Sequence, residues 1–154
     1  MKRLIMAGFA MVCAVAYCDT SKDSKESKEV KEANAAKTAA QAERRAMRMI
    51  KNALALIEEK EEDRAVNMLE AVSRMYPQSQ ARFNANLELG RHMLSKRDFD
   101  HALAELKKAC EAKAEEVCAE ANFLIGELHL AKNQPGEAAM VFRRVSQDFP
   151  TSDF

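Results

Sequence analysis

QPGEAAMVFRRVSQDFPTS, from Gln134 to Ser152, decides the fold once it is set beside two earlier stretches, EDRAVNMLEAVSRMYPQS (Glu62 to Ser79) and DFDHALAELKKAC (Asp98 to Cys110). Alignment puts Ala65, Ala102 and Ala138 in one column, at intervals of 37 and 36 residues. Leu69, Leu106 and Phe142 follow four residues later, and Val72, Ala109 and Val145 three beyond those. Apolar residues at that spacing line one face of a helix. Twelve residues ahead of each Ala stand Ala53, Gly90 and Gly126, each inside another helix-forming stretch. A generic amphipathic bundle has no reason to keep small and apolar positions in one order at a nearly constant interval, whereas stacked helical hairpins do.

Pro77 and Pro150 close two of the units as YP and FP, and Ala114 stands near that place in the middle one, so its second helix runs on or turns differently. This pattern resembles the tetratricopeptide repeat family over roughly residues 44–152. The resemblance implies an all-α, right-handed α-solenoid of about three helix-turn-helix hairpins, with repeats near 44–80, 81–117 and 118–154. It also implies that Gly90 and Gly126 in first helices, and Ala65, Ala102 and Ala138 in second helices, let the helices cross closely. The departures are Ala53 in place of Gly, and Met49, Asn86 and Asn122 where a large aromatic residue is usual. The long interval and the endings YPQS and FPTS are similar to exported members of the bacterial cell envelope, of the Tol-Pal coordinator or outer-membrane assembly lipoprotein type.

Composition agrees with an all-helical chain: four Gly, three Pro and no Trp in 154 residues leave little to interrupt helices. Lys plus Arg and Asp plus Glu number 24 each, so the charge balance argues for no nucleic-acid partner. Before the repeats the character changes twice. Lys2 and Arg3 lead into the apolar run LIMAGFAMVCAVAYC, Leu4 to Cys18, which has the length of a secretory signal core and is short for a membrane span. Residues 1–18 are therefore expected to be an export segment. Two processing routes fit the same residues. Ala14-Val15-Ala16 offers a signal-peptidase site, while Cys18, at the head of a polar stretch, resembles a lipidated lipoprotein cysteine with Tyr17 where a small residue is usual. Either route places the mature chain in the periplasm or on the outer membrane, with a membrane contact only through an N-terminal lipid. Residues 19–34 alternate Lys with Asp or Glu and read as a charged, flexible tether. Residues 35–154 read as the repeat domain.

No phosphate loop, HExxH or EF-hand pattern is present, and His92, His101 and His129 lack a matching ligand cluster, so neither cofactor nor metal is expected and no catalytic residue is assigned. Cys110 and Cys118 flank the connection that lacks its Pro, and in an oxidising compartment a disulfide between them is expected, with two free thiols as the alternative. The resemblance also implies a surface formed by first helices that holds a peptide or helix from a partner protein. On it the alignment places Ile50, Leu54 and Ile57, then Leu87, Arg91 and Leu94, then Phe123, Glu127 and Leu130. The chain is thus expected to be a non-catalytic scaffold binding an envelope protein. The alternative is an N-terminal repeat fragment of a larger envelope enzyme or assembly component, and oligomeric state is left open.

Overall fold

The computed structural model describes residues 16–150, with side chains from Glu29 onward. The export segment at residues 1–15, the side chain of Cys18 and residues 151–154 lie outside the described residues. Six helices follow in order, with no strand among the described residues: α1 (Ala16–Glu58), α2 (Glu62–Met75), α3 (Ala81–Ser95), α4 (Phe99–Ala109), α5 (Glu115–Ala131) and α6 (Pro135–Asp148). The chain divides into two units, Met1–Ala40 and Gln41–Phe154. In the first, α1 runs through residues 19–34, where the composition suggested a tether, and residues 29–40 are all exposed. Lys and Glu are strong helix formers and the segment has neither Gly nor Pro, so it coils without anything to bury.

In the second unit, the end of α1 with α2, then α3 with α4, then α5 with α6, form the three expected hairpins. Packing passes from each second helix to the next first helix, α2 on α3 and α4 on α5, and first helix α3 also meets first helix α5. That is the connectivity of a helical solenoid. One core joins Ala46, Ile50 and Ala53 of α1 to Leu69 and Val72 of α2 and to Ala85 and Leu89 of α3. A second joins Leu87 of α3 to Leu106 and Ala109 of α4 and to Ala121, Leu124, Ile125 and Leu128 of α5.

The small residues stand where the repeat requires them. Ala65, Ala102 and Ala138 are buried. At Gly90 an added Cβ would lie 2.6 Å from Cγ of Leu106, and at Gly126 it would lie 2.4 Å from the ring of Phe142, so each glycine is the point where the second helix crosses the first. Turns inside the hairpins share a backbone device that the sequence does not announce. Lys60, Arg97 and Asn133 occupy equivalent positions with φ of 65°, 62° and 59°. In each, the following N–H bonds back to a carbonyl in the last turn of the first helix: Glu61 to Leu56 at 2.8 Å, Asp98 to Met93 at 3.0 Å and Gln134 to His129 at 2.8 Å. A left-handed residue after the last turn closes a helix in this way, usually with Gly.

Connections between hairpins differ, as the missing Pro suggested. Tyr76 and Phe149 end α2 and α6 with φ of −126° and −131° before their prolines, whereas Cys110 ends α4 in helical geometry at φ −64°. Two turn-like hydrogen bonds, Glu111 to Lys108 and Ala112 to Ala109, then lead the chain to α5.

Candidate functional site

The first helices of the second unit offer the surface on which a partner was expected, and the nine residues assigned to it divide. Ile50 is 5% exposed and Leu87 4%, so both are core residues and not partner contacts, which corrects their assignment. Ile57, Leu94 and Phe123 are partly buried; Leu54, Arg91, Glu127 and Leu130 are exposed. Helix geometry accounts for the division. At about 100° per residue, a side chain four positions on is rotated by about 40° from its starting row, and one seven positions on by only about 20° the other way. The row of Ile50, Leu87 and Phe123 therefore runs on to Ile57, Leu94 and Leu130 and turns toward the neighbouring hairpin. Leu54, Arg91 and Glu127 form a separate row that stays open.

Beside that open row lie residues the sequence reading did not single out. Met47 is exposed on α1, and Asn84 of α3 donates an N–H to its sulfur at 3.5 Å. Arg91 pairs with Glu88 one turn back, at 3.5 Å, and with Glu120 on α5, so an ionic link crosses from one first helix to the next. Burial, the largest cause, pushes the Glu88 carboxyl up; Arg91 opposes that shift and Glu120 adds to it. The face thus carries Met47 and Leu54 at one end, and Glu88, Glu120 and Glu127 outnumber Arg91 at the other. Carboxylates at these positions were visible in the sequence, but their meeting depends on how far α5 is turned against α3.

On the side of α3 away from Glu88 and Arg91, a cleft of about 510 Å³ opens between α2 and α4, lined by Arg74, Arg82, Asn86 and Lys108 together with Glu70 and Glu105. Ser73 donates its hydroxyl to Asn86 at 2.8 Å there, and the Arg82 guanidinium lies 4.4 Å from the centre of the Phe83 ring. Its charges are mixed and largely compensate one another. No sequence signal pointed to it, because its walls come from three helices.

Cys110 and Cys118 are brought together across the α4–α5 connection, as two thiols. Cys118 donates its S–H to the Cys110 carbonyl at 3.2 Å, and Asn122 donates to the Cys118 carbonyl at 2.8 Å. Burial, with Cys118 beside it, pushes the Cys110 thiol up to about 12, so it stays protonated at neutral pH. Among the described residues no group of three His, Cys, Asp or Glu side chains could hold a metal ion, and no helix is long and apolar enough to cross a membrane.

Residues 120–152, which span most of α5 and all of α6, match the tetratricopeptide repeat family. No curated protein matches the chain. The matched hairpin shares its small-residue crossing and its left-handed turn with α3–α4. Three such hairpins in succession make the second unit a tetratricopeptide-like helical solenoid.

Proposed function

We propose that this chain is a non-catalytic scaffold of the bacterial cell envelope that holds a segment of a partner protein on its first-helix face. Repeats of this architecture generally mediate contacts between proteins, and their stacked first helices form an extended surface suited to a peptide or helix. The observation that carries the reading is the open row of Leu54, Arg91 and Glu127, which keeps one register across three helices while its neighbours Ile50 and Leu87 are consumed by the core. With Met47 and Leu54 at one end and an excess of carboxylates at the other, the face suits a segment that pairs apolar residues with Lys or Arg. Export rests on the sequence of residues 1–18 alone: a basic start, a short apolar run, and either cleavage after Ala16 or lipid on Cys18.

Two experiments test the reading. Envelope proteins captured by the wild-type chain should be lost with Leu54→Asp and Glu127→Arg while the melting temperature holds; capture that survives both changes removes the first-helix face as the site. A periplasm-dependent reporter fused after residue 40 should be active, and cytoplasmic activity alone would remove the envelope. The second reading, a repeat segment of a larger envelope enzyme, predicts a catalytic domain encoded in the same open reading frame.

A further inference from the structure

The two connections between hairpins are secured by different chemistry. Between α2 and α3, Pro77 restricts the backbone, Arg82 donates to the Pro77 carbonyl at 2.8 Å, and Glu43 of α1 accepts from the Gln80 N–H at 3.0 Å. Between α4 and α5 there is no Pro, and Ala114, the N-cap of α5, has no side-chain oxygen to accept an N–H. The backbone turns there on two hydrogen bonds, Glu111 to the Lys108 carbonyl at 3.2 Å and Ala112 to that of Ala109 at 3.0 Å. A thiol supplies the side-chain tie. From the first turn of α5, the S–H of Cys118 reaches back to the carbonyl of Cys110, the C-cap of α4, at 3.2 Å.

Both sulfurs are placed for more than a weak hydrogen bond. Besides burial, the Cys110 thiol feels Cys118 through its charge and through a side-chain hydrogen bond, so the two thiols are neighbours. Asn122, one turn further along α5, donates to the Cys118 carbonyl at 2.8 Å and to its sulfur at 3.5 Å. Cys118 Sγ already lies against the backbone of the residue it would join, so a bond between the sulfurs needs rotation of side chains and no displacement of either helix. Each cysteine is partly buried, but Glu111, Lys113, Ala114 and Glu115 around them are exposed, which leaves a way in for a small oxidant. Ala109 and Val117, beside the two cysteines in the chain, belong to the second core and its margin, so a bond here fastens hairpin three to hairpin two.

We propose that Cys110 and Cys118 form a reversible redox site, a dithiol that an oxidant of the disulfide class converts into an intramolecular disulfide bracing the α4–α5 connection. One thiol loses its proton and attacks a sulfur of the oxidant, which expels a thiolate and leaves a mixed disulfide; the other thiol then loses its proton and attacks the protein sulfur of that bond, expelling the second thiolate. Two S–H bonds are lost, one S–S bond forms, and the oxidant is reduced to two thiols that take up the two protons. Glutathione is the probe. The intact chain is equilibrated with set ratios of its oxidised and reduced forms, blocked with N-ethylmaleimide and cut with trypsin, which separates the cysteines after Lys113. Peptides 109–113 and 114–132 are expected to be joined until reductant is added. The native chain should reach half-oxidation at a proportion of oxidised glutathione at least about tenfold lower than the chain unfolded in urea. By the same linkage the disulfide should raise the unfolding midpoint by about 5 °C or more, a gain absent from Cys110→Ser and from Cys118→Ser. Two blocked thiols, glutathione adducts without joined peptides, or joined peptides found only in a covalent dimer overturn the proposal. So does a native chain no easier to oxidise than the unfolded one.

Discussion

A Cβ on Gly90 would meet Cγ of Leu106 at 2.6 Å and the Leu106 backbone nitrogen at 3.3 Å, while the three atoms nearest one on Gly126 would all belong to the Phe142 ring, the first at 2.4 Å. Leu106 is fully buried and Phe142 is not, so Gly126→Ala is accommodated by a ring that swings outward, and Gly90→Ala must shift helix α4. Overpacking of about 1–3 kcal/mol, offset by about 1 kcal/mol of helix propensity, leaves Gly90→Ala destabilised and Gly126→Ala near neutral in denaturant melts. Equal losses would show that Phe142 is as confined as Leu106. These glycines were legible in the sequence because close crossing admits so few residue types. Ile50 and Leu87 were not, since facing a neighbour or facing a partner differs by a rotation of about 40° that apolarity does not report. Cys110 gives a second test. Its thiol is pushed up to about 12 from an ordinary 9.0, so between those values the unfolded chain gives up a proton that the folded chain keeps. The stability tied to the neutral thiol is complete below about pH 9 and is lost as the pH rises toward about 12. In reductant, Cys110→Ser should flatten the alkaline fall in unfolding midpoint; an unchanged profile would assign that fall to other groups.

Among the elements, α3 illustrates what a helix takes from outside itself. Its own N-cap, Gln80, makes no side-chain cap, yet the turn before it is secured from α1: Glu43 accepts from the Gln80 N–H at 3.0 Å and from the Ser79 hydroxyl, which in turn accepts from the Ala81 N–H at 3.1 Å. Orphan N–H groups at a helix start are satisfied by such acceptors, and losing one costs about 1 kcal/mol. Glu43→Ala is expected to destabilise by about that amount, and Glu43→Gln, which keeps an acceptor without the charge, by less. Similar melting temperatures for both variants would mean that the neutral acceptor contributes nothing and the charge carries the whole effect. The bounds of α3 follow from periodicity, but a cap reaching across 36 residues from Glu43 to Ser79 leaves no local trace. The same is true of α4, whose early end at Ala109 is visible only as an absent Pro.

For the molecule as a whole, stability is distributed along the stack, because each hairpin is held chiefly by its neighbours. The first core joins α1, α2 and α3, and the second joins α3, α4 and α5, so α3 is built into both; α6 contributes Val141 to the margin of the second. Order of this kind was foreseeable from the repeat, whereas the lighter burial of Phe142 was not, since Phe142 keeps the apolar column of the fully buried Leu69 and Leu106. Truncating a fully buried Leu costs about 2–5 kcal/mol, and Leu106, packed over Gly90 and shared with α5, should sit at the high end because its loss loosens two hairpins. Phe142→Ala removes a larger side chain but a partly solvated one, so it should cost less than Leu106→Ala and leave α1 to α3 unaffected. Amide exchange reads this directly. The N–H groups of α6 should exchange faster than those of α3 and α4 in the native chain, Phe142→Ala should accelerate exchange in α5 and α6 alone, and Leu106→Ala should accelerate it from α3 onward. Uniform acceleration by both variants would mean that the hairpins unfold as a single cooperative block and that the third hairpin carries no local weakness.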